Sequence, residues 1–232
     1  MMLVHFSTLG CRLNEAEVGQ WRRAAARSGH VVVEEPRGAE LVVLNTCAVT
    51  ASAVSRSRMQ LERLRRESPG ARIVVTGCVP ELEPSALGGL ADEILSNSTK
   101  DVEIPALLER LTAGGRAAMA LPSRRTRAFL KVQDGCDNRC TYCAITLARG
   151  PARSRPVEAV LDEARALVEQ GVKELVLTGV NLGATGRDRG ERLSDLVQAL
   201  RRAVAVPRLR LSSVEPWSVD ESLLELLASG GT

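Results

Sequence analysis

The sequence predicts an α/β fold, with an N-terminal doubly wound parallel-sheet domain followed by a partial (β/α) barrel. Short apolar runs alternate with amphipathic helical segments over the first ~110 residues, the pattern of a doubly wound parallel sheet. The same strand and helix rhythm resumes after a break near residues 113–127. At roughly 35 residues per βα unit, only about three units fit before residue 232, too few to close a barrel.

The first domain is predicted over residues 1–112, where three apolar runs each end in a turn signal and precede a helix. We expect the first helix to be capped by Asn14, with Glu17 three residues later completing a capping box, and to close at Gly29. The three predicted strands are residues 2–8, ELVVLNT and ARIVVTG.

The second domain is predicted over residues 128–232. Residues 113–127 separate it from the first, because small residues, a proline and several arginines in that stretch are typical of a linker. Its predicted strands are AFLKVQD, ELVLTG and RLRLSS, and helices are expected near residues 157–170, 193–204 and 219–228.

Composition excludes some classes of protein. The chain has 44% hydrophobic and 25% charged residues and a net charge of +3, which is ordinary for a globular protein and too weak a charge to indicate nucleic-acid binding alone. Its N-terminal apolar run is too short for a signal peptide, and no run approaches the ~18 apolar residues of a membrane span. We therefore expect a cytoplasmic protein, without a membrane partner, whose cysteines bind metal rather than form disulfides.

The cysteines form two triplets of different kinds. Three of them each follow a predicted strand of the first domain, and these are Cys11, Cys47 and Cys78. Because the carboxyl ends of parallel strands meet at one edge of a sheet, we expect the three thiols to lie together there. They also precede helices, whose N-termini favour negative charge and should lower the thiol pKa.

The other triplet lies within the single loop GCDNRCTYC, as Cys136, Cys140 and Cys143. Thiolates in threes suit iron-sulfur clusters with one iron left open to bind another molecule. Structural zinc is the alternative, but zinc sites usually take four ligands and only His5 and His30 remain to complete two sites. Both histidines are more simply explained as a strand residue and a turn residue.

The loop, with Tyr142 just before its last cysteine, resembles the signature of radical S-adenosylmethionine (SAM) enzymes. Combined with GCRLN, NTCAVT and TGC around the first triplet, the chain resembles the tRNA methylthiotransferases. Further similarity runs through RAFLKVQDGCDNRCTYC, RGPARSR, LTGVNLG and LRLSSVEP. Within that family GCRLN, NTCAVT and VQDGCD most resemble the branch acting on threonylcarbamoyladenosine at tRNA position 37.

The resemblance implies an enzyme that replaces the hydrogen on carbon 2 of that adenine with a methylthio group. It implies two 4Fe-4S clusters, one on each cysteine triplet. The loop cluster would bind SAM and generate the radical that takes the hydrogen, and the other would carry the sulfur to be inserted. It also implies a tRNA substrate, a sulfur donor and an electron donor such as flavodoxin or ferredoxin.

Cofactor contacts follow from the same resemblance. Thr178, Gly179 and Asn181 would meet the methionine part of SAM, and Tyr142 would lie near its adenine, although LTGVNLG is equally explained as a glycine turn after a strand. Two more candidates end the third barrel strand, Ser213 and Glu215. Three arginines follow the loop, Arg149, Arg153 and Arg155. In one interpretation they contact RNA phosphate or the cofactor, and in the other they form a solvated basic loop.

The resemblance also implies barrel strands and an RNA-binding domain that these 232 residues do not include, so the chain is expected to be C-terminally truncated. Three alternatives to the leading function therefore stay open: an iron-sulfur-binding fragment without catalysis, a methylthiotransferase acting on isopentenyladenosine or on a ribosomal protein, and a zinc-stabilised RNA-binding module. Oligomeric state is not indicated.

Overall fold

The computed structural model describes residues 1–112 and 126–229. These fall into two compact units: residues 1–112 together with Leu147–Arg149, and residues 126–146 together with 150–229. Residues 113–125 of the predicted linker lie outside the described residues. The predicted domain limits, 1–112, 113–127 and 128–232, stay predictions.

The first unit is a doubly wound parallel sheet with the strand order β2-β1-β3-β4-β5. Its strands are β1 (Leu3–Thr8), β2 (Val31–Val33), β3 (Leu41–Thr46), β4 (Arg72–Gly77) and β5 (Glu93–Ile94). Its helices are α1 (Arg12–Arg27), α2 (Ala51–Glu67), α3 (Cys78–Leu82) and α4 (Lys100–Arg110). The predicted fold class is confirmed.

Burial explains why these segments form a parallel sheet. All six residues of β3 are buried, as expected for a central strand covered on both faces. One face is covered by apolar side chains of α1 and α4, including Trp21 and Ile104. The other face is covered by α2 through Leu61 and Leu64.

The start of α1 corrects the sequence prediction. The helix begins at Arg12 with Cys11 in the N-cap position, whereas Asn14 and Glu17 lie inside the helix and are buried. The predicted cap at Asn14 was therefore wrong. The C-terminal end was predicted correctly, because the helix ends at Arg27 and Gly29 follows with a φ of +78°.

Asp92 ties β4 to α2 on the first unit. Its carboxylate accepts hydrogen bonds from the Ile73 backbone amide at 2.7 Å and from the Arg65 guanidinium at 2.6 Å. Both interactions, the backbone one foremost, lower the pKa of Asp92 from its ordinary value of 3.8.

The second unit contains a parallel sheet with the order β10-β9-β6. Its strands are β6 (Arg127–Lys131), β7 (Gln133–Asp134), β8 (Arg153–Ser154), β9 (Glu174–Thr178) and β10 (Arg208–Leu211), of which β7 and β8 form a separate antiparallel pair. The helices of this region are α5 (Ile145–Arg149), α6 (Val157–Glu169), α7 (Leu193–Ala203) and α8 (Glu221–Ala228). Within the described residues this gives the predicted succession of βα units.

The sheet of the second unit is covered by α6, α7 and α8. Leu130, Leu175 and Leu177 of its strands are buried against helix residues such as Val160 and Val197. The predicted strand AFLKVQD is divided, because β6 ends at Lys131 and the next two strand residues pair with β8 instead. In both stretches that the structure describes, no helix is long and apolar enough to span a membrane.

Candidate functional site

The first cysteine triplet lies at the carboxyl edge of the first sheet, as predicted. Cys11 is the N-cap of α1 directly after β1, Cys47 follows β3, and Cys78 is the first residue of α3 directly after β4. These three strands are neighbours in the order β1-β3-β4. Burial is the main influence that raises the pKa of the Cys78 thiol, and the Cys47 and Cys11 thiols raise it further.

Two glycines let the backbone pass close to this triplet. Gly10 has a φ of +104°, and a Cβ there would lie 2.5 Å from the Cys47 Cβ and 2.9 Å from the Cys47 Sγ. Gly77, which precedes Cys78, has a φ of +101°, and its Cβ would overlap the backbone of Thr46. Only glycine fits such positions without displacing its neighbour.

The pKa of the Cys78 thiol shifts in the direction opposite to the prediction. Burial raises the pKa of its thiol, and this effect outweighs the opposing influence of the Arg149 and Lys100 cations. Helix N-termini were expected to lower the pKa of these thiols, which is wrong for Cys78. All six cysteines lie in the described residues and are free thiols.

Asn14 connects the Cys11 turn to its surroundings. Its amide nitrogen donates to the backbone oxygens of Leu9 at 2.7 Å and Thr46 at 3.0 Å. Its oxygen accepts from the Cys11 thiol, at an Sγ to Oδ1 distance of 3.6 Å, and from Arg149 Nη2 at 2.6 Å. The backbone segments that precede Cys11 and Cys47 are therefore joined through one side chain.

Glu17 lies one helical turn further along α1 and is fully buried. Its carboxylate accepts from Lys100 Nζ at 2.7 Å, from Arg149 Nη1 at 2.9 Å and from Asn45 Nδ2 at 2.8 Å. Buried charges need such partners, because an unpaired charge in the protein interior is strongly unfavourable. Sequence reasoning missed this network.

Arg149 is buried in the first unit, so it is not exposed to RNA phosphate and is not in a solvated loop. Its predicted contact with the cofactor stays a prediction. Arg155 donates to the Lys131 carbonyl at 2.8 Å and to Glu163 at 2.6 Å, which are structural contacts. Arg153 donates to the Pro151 carbonyl at 3.4 Å.

The second cysteine triplet begins directly after β7 in the second unit. The Cys136 amide donates to the Gly150 carbonyl at 3.0 Å, and the Cys143 amide donates to the Cys140 carbonyl at 3.0 Å. Gly135 has a φ of +67°, and a Cβ there would overlap the Pro151 carbonyl. The loop is thus held at its start against the residues that follow its end.

One of the predicted SAM-binding residues is next to the loop. Asn181 Nδ2 lies 3.9 Å from the Cys136 Sγ, and the Asn181 amide donates to Gln133 Oε1 at 2.9 Å. Thr178 ends β9 and is buried, with its hydroxyl donating to the Val176 carbonyl at 3.1 Å. Gly179 packs against Gln133. The sequence did not identify Gln133 as a residue of this site.

The remaining predicted residues are Tyr142, which precedes Cys143 in the loop, and two residues that follow β10. Tyr142 is 91% exposed. Ser213 and Glu215 are exposed and follow the end of β10, which pairs with β9, so they lie at the same edge of the sheet as Thr178. Their assignment to a cofactor stays a prediction.

The donor chemistry of both triplets fits an iron-sulfur cluster. Six free thiols are present, and Gly10 and Gly135 make room beside them. Among residues 1–112 and 126–229, no three Cys, His, Asp or Glu side chains are already grouped as ligands of one metal ion, so the ligand sets stay predictions. The two histidines have structural partners, His5 Nδ1 with the Val33 carbonyl and His30 Nε2 with the Leu108 carbonyl.

Two protein families match the chain in the same order as these sites. Residues 3–96 match the uncharacterized protein family UPF0004, and residues 130–231 match the radical SAM superfamily. The chain joins a UPF0004 segment to a radical SAM segment. The second match confirms the resemblance to radical SAM enzymes that the cysteine loop indicated, and the resemblance to tRNA methylthiotransferases is confirmed by the relatives described next.

Relatives named for this chemistry align along nearly the whole chain. The threonylcarbamoyladenosine tRNA methylthiotransferase MtaB of Thermotoga maritima is 32% identical over 97% of this chain, and that of Chlamydia pneumoniae is 36% identical over 95%. A tRNA-2-methylthio-N(6)-dimethylallyladenosine synthase of Chlorobium phaeobacteroides is 32% identical over 97%. These alignments cover 55%, 53% and 55% of the relatives, so the chain spans about half their length.

Among solved structures, the radical SAM methyltransferase TsrM of Kitasatospora setae has a similar fold. With a tryptophan substrate and a SAM analog bound, it aligns over 99% of this chain and 57% of its own, with a TM-score of 0.59 and 16% identity. A second structure, with cobalamin and a 4Fe-4S cluster, gives the same TM-score. At this identity the likeness concerns the fold alone.

Proposed function

We propose that this chain carries the two cofactor-binding segments of a tRNA methylthiotransferase that adds a methylthio group to carbon 2 of threonylcarbamoyladenosine at tRNA position 37. One observation carries the proposal. A UPF0004 segment with three cysteines at adjacent strand ends and a radical SAM segment with a three-cysteine loop occur in one chain. Relatives named for this reaction align over 95–98% of the chain.

Each triplet would hold one 4Fe-4S cluster, with SAM bound at the loop cluster. Bound there, these groups supply radical chemistry, which the unreactive carbon 2 requires and side chains do not provide. The protein contributes position. Asn14 and Gly10 hold the Cys11 and Cys47 turns together, and Gly135 fixes the start of the loop.

The cations near Cys78 would contribute charge balance. Three thiolates and a cluster are anionic, and Arg149 and Lys100 both favour the ionised form of Cys78. Burial opposes ionisation of the free thiol, so metal binding would supply the energy to deprotonate it. In the second unit, Asn181 lies next to Cys136 and would contact a molecule bound at the loop cluster.

A second substrate is favoured by a specific observation. Two relatives named tRNA-2-methylthio-N(6)-dimethylallyladenosine synthase are 32% and 33% identical over 97% and 96% of the chain, nearly as similar as the first group. The modified adenosine therefore distinguishes the two candidates. We further propose that the reaction takes place in the cytoplasm and needs an external electron donor and sulfur donor.

Mass spectrometry of tRNA nucleosides from cells with and without the gene tests the proposal. Loss of the methylthio group from threonylcarbamoyladenosine supports the leading candidate, and loss from the isopentenyl nucleoside supports the second. An unchanged nucleoside profile would contradict both and leave an iron-sulfur-binding fragment. Iron and sulfide analysis of the reconstituted chain then distinguishes that fragment from a zinc module. The fragment should contain roughly eight irons per chain, whereas a zinc module should contain no sulfide.

A further inference from the structure

Gln133 is a fully buried amide located between the cysteine loop and the turn after β9. Its side-chain nitrogen donates to the backbone carbonyl oxygens of Asp134 at 2.7 Å and Gly135 at 2.6 Å. Its side-chain oxygen accepts from the backbone N–H of Asn181 at 2.9 Å. Both N–H groups and the oxygen thus have partners. A flipped amide would place its oxygen against two carbonyl oxygens, so the orientation is determined by the contacts themselves.

The turn after β9 packs directly on this side chain. A Cβ at Gly179 would lie 2.9 Å from Gln133 Oε1 and 3.1 Å from Gln133 Cβ, so the absence of a side chain there permits the close approach. Two residues later, Asn181 Nδ2 lies 3.9 Å from the Cys136 Sγ. The spacing between the first loop cysteine and this turn therefore depends on Gln133.

The backbone beside Gln133 is held independently. The buried ammonium of Lys131 pairs with Asp134 Oδ2 at 2.7 Å, and Asp134 Oδ1 accepts from the Gly135 amide at 2.8 Å. These contacts fix residues 131–135 to one another. Gln133 adds the hydrogen bond from this segment to Asn181, on the other side of the site.

We propose that Gln133 is a positioning residue that sets the distance between the cluster-binding Cys136 and the Gly179–Asn181 turn, where the methionine part of SAM would bind. The inference rests on the proposed function, because it assumes a cluster on the loop and SAM beside it. Gln133 itself touches neither. Its role is to keep Asn181 next to the Cys136 thiol, which would hold the cluster.

Two variants separate the contacts of Gln133. Gln133→Glu keeps an acceptor for the Asn181 amide but turns a carboxylate oxygen toward two carbonyl oxygens, and Gln133→Met removes every hydrogen bond at similar length. Thr185→Val is the control, because it removes another buried hydrogen bond of the second unit, from Thr185 Oγ1 to the Leu182 carbonyl at 2.6 Å.

The full chain of each variant is reconstituted anaerobically and measured for iron and sulfide, for SAM affinity by equilibrium dialysis, and for the EPR spectrum of the reduced protein with and without SAM. We expect both Gln133 variants to keep the wild-type iron content. We also expect them to bind SAM about tenfold more weakly and to lose the SAM-dependent change in the spectrum. The Thr185 control should match the wild type in all three measurements.

Three outcomes overturn the inference. Wild-type SAM affinity and spectral response in both Gln133 variants would show that the distance between Cys136 and the Gly179–Asn181 turn does not depend on Gln133. Loss of about half the iron in both would show that Gln133 is needed for cluster assembly rather than for positioning. A wild-type chain that holds iron but does not respond to SAM would contradict the proposed function itself, and the inference with it.

Discussion

Replacing Glu17 with glutamine should strongly destabilise the first unit. The carboxylate has no solvent exposure and accepts hydrogen bonds from Lys100, Arg149 and Asn45. Glutamine has nearly the same shape but removes the negative charge and turns N–H donors toward cationic donors. The two cations therefore remain buried without the carboxylate.

The expected loss can be worked out from this geometry. Removing one partner of a buried ion pair costs about 3–5 kcal/mol. Glutamine keeps one acceptor oxygen, so we expect a loss of about 3 kcal/mol of unfolding free energy. The control is Glu62→Gln, because Glu62 pairs with Arg58 one turn away on exposed surface of α2 at 2.9 Å, a contact worth about 0.3–0.5 kcal/mol.

Urea unfolding followed by tryptophan fluorescence measures the difference. Trp21 is fully buried one turn from Glu17 on α1, with the Lys100 Nζ 5.9 Å from its ring, whereas Trp217 of the second unit is 74% exposed. The Trp21 signal therefore reports the first unit. With a urea dependence of about 1–3 kcal/mol per molar, the midpoint should fall by about 1–3 M. Equal midpoints for the Glu17 and Glu62 variants would refute the reasoning.

Three further predictions follow from glycine geometry and from one carboxylate. The Gly10→Ala variant should bind only about half of the roughly eight irons expected for the chain. Gly38→Ala is its control, because Gly38 has a φ of +82° and open space around it, so this variant should show only the ~1–2 kcal/mol of backbone strain. Gly135→Ala should lose the other half, with Gly190→Ala as its open control, and equal iron contents would refute either prediction. Asp92→Asn should lower the free energy of unfolding of the first unit at pH 7. Because the pKa of Asp92 is lowered in the folded protein, the difference in unfolding free energy between wild type and variant should vanish as the pH falls below that folded pKa. A difference that stays constant with pH would contradict this account.

The sequence predicted the sheet and the position of the first triplet at its carboxyl edge because both depend on local signals. Apolar runs such as Leu41–Thr46 predict buried parallel strands, and successive βα units place their carboxyl ends at one edge. Short strands are harder to recognise, since Val31–Val33 and Glu93–Ile94 contain too few residues to show a period. Helix α4 is also hard to recognise from the sequence, because it contains Pro105 and proline is normally excluded from helix interiors.

The buried charges around Glu17 could not be predicted from composition, because Lys100 is 83 residues away along the chain. Charged residues are normally exposed, so contact with RNA phosphate or the cofactor, or a solvated loop, was expected for Arg149, and not a place in a buried network. One signal was available. Asn14, Glu17 and Trp21 recur at helical spacing with the apolar residues of α1, which indicates one buried face rather than a cap.

The two triplets differ in what fixes their geometry. Spacing within the loop predicts its three ligands, but the residues before the loop that contact its start are Gln133 and Gly135. Cys11 and Cys47 come together only because their strands are neighbours and Asn14 bridges the segments that precede them. A motif therefore identifies the thiols that would bind a cluster, whereas the buried polar residues beside it help to determine where those thiols lie. Substitutions at these neighbours should change cluster properties while all six thiols remain in place.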